Sequence, residues 1–260
     1  WDVRAADKLD STEVAQPAIL AASVAAARAL EASGMLPDLV AGHSVGELAA
    51  LVVARALPFE DALRVVVARA NAMGAHPGSM AAVLGLTPDV VETVCAGIDG
   101  TVVVANVNAP GQVVISGEQP SVHAAIPVLK KAGARKVIPL AVSVAAHSPL
   151  MEPAKVALAR ALRDVQLNAP SIPFASCTEG RFLTEPSEIK DALIQALTRR
   201  VDWPACVTTV HKAGTDLFVE VGPGRVLTGL NKRIVPDARA TSVGSHAEAI
   251  ALANELAAAR

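Results

Sequence analysis

Leu39-Val40-Ala41-Gly42-His43-Ser44-Val45-Gly46-Glu47-Leu48-Ala49-Ala50-Leu51 is the stretch on which the fold turns. Its first three residues are apolar and read as a short strand that stops at Gly42. A helical pattern opens at Gly46 and Glu47 and runs to about residue 56. Between them, Gly42-His43-Ser44-Val45-Gly46 fits G-x-S-x-G, the sharp strand-to-helix turn that pushes a serine hydroxyl out at a helix N-terminus. There the Val45 amide and the helix dipole can receive a developing oxyanion. Two readings stand at this point: a nucleophile elbow, or a glycine-rich turn carrying an incidental serine.

Working outward, residues 12–33 form an apolar helical pattern ended by Gly34, and residues 58–73 form another, with Pro58 suited to a first turn. From Met80 to Val144 the texture changes. Short β-branched runs at 81–86, 102–107, 112–116 and 137–144 alternate with helical stretches at 88–96 and 120–132. That β-α-β-β-α-β order predicts a ferredoxin-like small lobe over 80–143, inserted into a larger lobe made of 1–79 and 144–260. The remainder alternates helices (149–165, 187–198, 203–213) with strands (172–177, 217–221). The expected class is therefore α/β, with a mostly parallel sheet in the large lobe.

Composition narrows the function. The chain has 260 residues, 52% of them hydrophobic, enough for a sizeable core, and no apolar run reaches the roughly 20 residues of a membrane span. No membrane association is expected, and the chain is read as cytoplasmic. Its formal charge of −2 gives no field to draw nucleic acid, and with 2% aromatics and no tyrosine it lacks stacking platforms. Cys95, Cys177 and Cys206 show no CxxC or Cys/His grouping, so no metal site and no cofactor are expected.

A serine hydroxyl needs a base. Of the six histidines, His123 and His211 fall in helical patterns, His76 in a Pro-Gly loop, and His246 at the start of a C-terminal helix; His43 adjoins the serine but should point elsewhere. His147 follows the 137–144 run and precedes Pro149, which puts it in a loop at a strand's end, where open α/β sheets carry their chemistry. It reads either as the base or as a hydrogen-bonded structural histidine. Arg69 falls among Ala62, Val65, Val66 and Met73 on the apolar arc of its helix, opposite Glu60, Asp61, Arg64 and Asn71. A buried arginine requires an anion. The anion is either a carboxylate of the protein or one belonging to a substrate.

These residues together resemble the malonyl-CoA:acyl-carrier-protein transacylases and the related acyltransferase domains of polyketide synthases, over nearly the whole chain. Gly42-His43-Ser44-Val45-Gly46-Glu47 is similar to the family's GHSxGE elbow. Arg69, in Ala68-Arg69-Ala70-Asn71-Ala72-Met73, matches the arginine that holds the malonyl carboxylate. The segment from Asn106 to Gly117 is similar to NxNxPGQxVxxG, His147-Ser148-Pro149 falls where the base lies, and Glu220-Val221-Gly222-Pro223-Gly224 matches a closing strand and turn.

The resemblance implies a hydrolase-like large lobe and a Ser44–His147 dyad whose histidine is oriented by a main-chain carbonyl near Ala196. It implies Val45 as oxyanion donor, and a substrate-binding set of Arg69, Gln16, His43, Met73, Met80, Asn106, Asn108 and Gln112. The implied reaction is malonyl transfer from malonyl-CoA to the pantetheine thiol of acyl carrier protein in fatty-acid synthesis, by a monomer. The family also begins with a strand and a GQGSQ-type loop that supplies a second oxyanion contact. Neither motif occurs in these 260 residues, so weakened or absent chemistry is an expectation too. Ala145-Ala146 matches neither residue pattern associated with malonyl or methylmalonyl choice, while Val45 leans toward malonyl. The rival readings are a serine esterase or thioesterase, and a family member that binds without turning over. For an acidic carrier, Lys130, Lys131, Arg135 and Lys136 form the densest basic cluster, and Lys232 with Arg233 a smaller one.

Overall fold

The computed structural model describes residues 11–258. Helix α1 (Thr12–Ala32) ends as the sequence predicts, with Gly34 in the left-handed region and Met35 N–H bonded back to the Leu30 carbonyl. Strand β1 (Val40–Ala41) leads through the elbow into α2 (Gly46–Val53), and α3 (Phe59–Gly74) follows. The buried residues of α3 are Ala62, Val65, Val66, Arg69, Ala70 and Met73, the arc that its periodicity picks out.

The next run contains β2 (Ser79–Leu84), α4 (Pro88–Ala96), β3 (Val102–Ala109), β4 (Gln112–Gly117), α5 (Gln119–Lys131) and β5 (Lys136–Pro139). These strands lie in the order β5-β2-β4-β3, with the β2–β5, β2–β4 and β3–β4 pairings antiparallel. Helices α4 and α5 cover one face, sealing a core of Val83, Val91, Val113, Ile115, Val122 and Leu129. The register of β3 against β4 slips twice, between Val104 and Asn106 and between Val107 and Ala109. Such irregularities re-aim side chains near a site. The expected strand over 137–144 is shorter than its apolar run suggests. It stops at Pro139, whose missing N–H cannot continue a ladder, and 140–143 is irregular, with Val144 making a lone bridge to Pro77. His147 therefore does not sit at the end of a long strand.

Beyond it come α6 (Glu152–Arg163), β6 (Phe174–Ala175), β7 (Phe182–Leu183), α7 (Pro186–Gln195), β8 (Val201–Asp202), α8 (Trp203–Lys212), β9 (Leu217–Val221), α9 (Val226–Ile234), β10 (Arg239–Val243) and α10 (His246–Ala258). The mostly parallel pairing expected here is present, but it is divided between short sheets rather than gathered in one. Among the described residues there are two short sheets: β1-β6-β7, in which β1 and β6 run parallel but β7 turns back, and the parallel pair β9–β10. The return of β7 is a tight reversal with Gly180 at positive φ, which permits antiparallel pairing without a crossover helix. Strand β8 pairs in parallel with β3, so the five-stranded sheet takes one strand from outside 80–143. The larger core packs α1, α2, α3, α6 and α7 around Leu20, Leu51, Val65, Met151, Leu158 and Leu197. No described helix is long and apolar enough to cross a membrane.

Candidate active site

Ser44 lies between β1 and α2 with φ 53°, a left-handed conformation that is strained for a residue with a side chain and persists only where its surroundings over-determine it. The turn is possible because Gly42 has no side chain: a Cβ there would fall inside the backbone of Gly46 and Glu47. Gly46 plays no such part, since a Cβ on it would meet nothing. The tight return leaves the Val45 amide at the head of α2 with no acceptor among the described residues.

The Ser44 hydroxyl has two partners. His147 Nε2 lies 2.8 Å away, and Arg69 Nη2 donates to Oγ at 3.0 Å. His147 Nδ1 faces two carbonyls, Ala196 O at 2.7 Å and Arg199 O at 3.1 Å. Carbonyls only accept, so Nδ1 carries the proton and Nε2 is left to accept from Ser44. These carbonyls sit at and just beyond the C-terminus of α7, whose dipole favours a cation in that position. His147 is buried and itself at positive φ, 59°. Burial, then the charge of Arg69 and the proximity of His43, bring its pKa down to about 3 against the pull of the carbonyls.

Arg69 is buried at 6% exposure, and burial lowers its pKa to about 10, with the charge of Glu47 the main opposing influence. The internal ion pair left open by the sequence does not form among the described residues. Arg69 donates instead to Gln16 Oε1 and to Ser44. Gln16 is oriented in turn by Thr12 Oγ1 at 2.6 Å and Met73 Sδ at 3.5 Å, so Gln16 and Met73 form the wall behind the guanidinium. A small cavity lies beneath this group, lined by Ser44, Glu47, Arg69 and Ala196 with Leu48, Val65, Leu158 and Leu193. Arg64, by contrast, pairs with Asp61 at the surface.

His43 points away from the hydroxyl, as expected: its Nε2 meets Asn108 Oδ1 at 3.0 Å and its ring tilts over Trp203 at 5.5 Å. Trp203 Nε1 donates to Asn231 Oδ1 at 2.8 Å, extending this polar chain to α9. Other members of the implied binding set stand apart. Met80 packs with Ala105 and Val114 against Ala146, and Asn106 is buried within β3. Gln112 is occupied by Arg233, which also holds the Pro110 carbonyl. None of the three bonds to Ser44, His147 or Arg69 among the described residues.

Sequence reasoning passed over Glu47 except as a motif letter, and it gave Cys177 no part. The thiol of Cys177 accepts from the Ser44 amide at 3.4 Å, and the buried Glu47 carboxylate accepts from the Cys177 amide and Ser176 Oγ, both at 2.9 Å. A signal was available: Glu47 is the one charged residue of an otherwise apolar α2. Among the described residues no group of three or more His, Cys, Asp or Glu side chains is placed to hold a metal ion.

A family model described as an acyl transferase domain matches residues 3–252. The malonyl CoA-acyl carrier protein transacylase of Haemophilus influenzae is 42% identical over 246 residues, covering 92% of this chain and 79% of that protein. The solved structure of the malonyl CoA-acyl carrier protein transacylase from Coxiella burnetii superposes with a TM-score of 0.93 at 34% identity, covering 96% of this chain and 82% of that one. A malonyl-transacylase solved in complex with its type II polyketide acyl-carrier protein gives 0.92 at 37% identity, covering 96% and 83%.

Proposed function

The chain belongs to the acyl transferase family, and from that premise we propose that it carries a malonyl group from malonyl-CoA to the phosphopantetheine thiol of acyl carrier protein, through an ester on Ser44. The observation that carries this reading is the sharing of one hydroxyl between a base and a cation: Ser44 Oγ donates toward His147 Nε2 and accepts from Arg69. As Oγ attacks the thioester carbonyl, His147 Nε2 takes its proton. The Val45 amide receives the oxyanion, and one such donor is worth about 2.7–4 kcal/mol. When the tetrahedral intermediate collapses, the carbon–sulfur bond breaks and His147 returns the proton to the departing coenzyme A thiolate.

The malonyl carboxylate stands one methylene from the ester carbonyl, within reach of a guanidinium already touching Oγ. A bidentate ion pair with Arg69 would hold it there. In the second half-reaction the carrier's thiol attacks the ester, His147 takes the thiol proton, and Ser44 leaves with it. Gln16 and Met73 keep the guanidinium aimed, while His43 and Asn108 fix the elbow against β3. The same reading divides the chain at 79/80 and 143/144, and sets the reaction in the cytoplasm, where three buried free cysteines are at home.

Intact-protein mass spectrometry after brief exposure to malonyl-CoA tests the proposal. The expected result is a malonyl adduct on the folded native chain, absent in Ser44→Ala and reduced roughly thirtyfold or more in rate in Arg69→Ala, since leaving one partner of a buried charge pair alone costs about 2–5 kcal/mol. A folded chain that takes no malonyl group, or takes it equally well without Ser44, would sink it.

A further inference from the structure

Glu47 is almost completely buried, at 1% exposure, one helical turn after the nucleophile. Three hydrogen bonds make a closed ring through it. The Ser44 amide donates to Cys177 Sγ at 3.4 Å, the Cys177 amide donates to Glu47 Oε1 at 2.9 Å, and the Glu47 amide donates to the Ser44 carbonyl at 3.1 Å. Ser176 Oγ adds a second donor to the same Oε1 at 2.9 Å. Ser176 and Cys177 directly follow β6, the parallel partner of the strand that enters the elbow. The ring thus ties both ends of the strained serine to the C-terminal end of the central strand of its sheet. Its weakest member is the thiol, a poor acceptor, which leaves the carboxylate as the strong point.

The same carboxylate lines the cavity beneath Ser44 together with Arg69, and no carboxylate among the described residues lies within ion-pair distance of that guanidinium. We propose that Glu47 is the positioning residue of this site: its carboxylate closes the ring that holds Ser44 in its left-handed conformation, and its charge balances Arg69 without pairing with it, leaving the guanidinium open to a substrate carboxylate. The charge half of this inference rests on the malonyl reading; the ring half does not. Glu47 Oε1 accepts two donors, as suits an ionised carboxylate. Burial works in the opposite direction and raises its pKa, while Arg69 lowers it. The other titratable groups that feel its charge are Cys177 and Cys206, both with thiols pushed upward by burial.

Two consequences separate the halves. Glu47→Gln keeps an oxygen acceptor in the ring but removes the negative charge, so a dianion approaching Arg69 meets less repulsion. Glu47→Ala removes both. The measurement is the rate at which Ser44 is phosphorylated by diisopropyl fluorophosphate, an uncharged reagent that loses fluoride to the attacking hydroxyl, followed by intact mass with and without added malonate.

Glu47→Ala should be labelled about tenfold more slowly than the native chain, with Glu47→Gln slowed less, since it costs about 1.4 kcal/mol to lose a factor of ten in rate. Malonate should protect Glu47→Gln at a several-fold lower concentration than it protects the native chain. Equal labelling of folded Glu47→Ala and native chain would overturn the ring. Unchanged or weakened malonate protection in Glu47→Gln would overturn the charge role. Neither readout requires acyl transfer. A parallel sample with malonyl-CoA reports on the proposed reaction by itself, and its failure would leave the labelling result standing.

Discussion

Removing an imidazole from water disfavours its cation, and a neighbouring guanidinium disfavours it again, which is why His147 titrates near pH 3. Two results follow at this residue. The folded state refuses a proton that the unfolded chain accepts between about pH 3 and the ordinary value of 6.5. The contribution of His147 to stability is therefore fully present above 6.5 and is lost as pH falls through the window, at about 1.4 kcal/mol per pH unit. Urea titrations at pH 7 and pH 5 should show this loss in the native chain, and a smaller loss in His147→Phe. The second result concerns the proposed catalysis: the His147 imidazole is already deprotonated at pH 5, so the rate of Ser44 acylation should show no inflection near 6.5. An inflection there would mean that the imidazole is hydrated and ordinary. Ser44, His147 and Arg69 could be singled out from pattern and position. Their mutual distances could not, because the Ser44–His147 contact joins residues 103 apart in the chain.

At the scale of elements, the elbow assigns different work to its two glycines. Gly42→Ala drives a methyl into the backbone at the start of α2 and should cost about 1–3 kcal/mol or more, read as a fall in the urea midpoint. Gly46→Ala meets nothing and, by restricting the unfolded chain, should be neutral or stabilising by up to about 1 kcal/mol. A similar loss in both would mean the turn is built otherwise. Helix α8 offers a further test. Its buried Trp203 holds Asn231 of α9 through Nε1, so Trp203→Phe strands a buried amide oxygen and should cost about 1–3 kcal/mol. Periodicity located α1 and α3 to within a residue or two, since a long amphipathic pattern repeats its signal every turn. It did not find β7, β8 or β10. Two-residue strands carry no alternation to detect, and β10 (Arg-Ala-Thr-Ser-Val) is too mixed to read as a buried run.

At the scale of the molecule, the two connections between residues 80–143 and the rest of the chain pass each other at Gly78. Its amide donates to the Ser143 carbonyl at 2.9 Å, and Pro77 bridges Val144. A Cβ at Gly78 would press on Ala145, two residues before His147. Gly78→Ala should therefore displace His147 from Ser44 and lower the proposed acylation rate by more than its loss of stability explains, as judged by rate and urea midpoint on the same preparation. An activity change no larger than the midpoint predicts would place the crossing outside the site's control.

The sequence by itself determined the class of the chain and singled out the residues that gather at the candidate site. Apolar periodicity, glycine at a strand-to-helix turn and an arginine on an apolar arc are local facts that a single chain displays. Tertiary structure alone decided which donors and acceptors meet. It set the Ala196 and Arg199 carbonyls together on His147 Nδ1, gave Arg69 a glutamine and a hydroxyl rather than a carboxylate, and closed a ring through Glu47 and Cys177 beneath the serine. Each of these contacts joins residues far apart in sequence. They form because burial leaves a polar group no water to bond, so it must take whichever partner packing brings within reach.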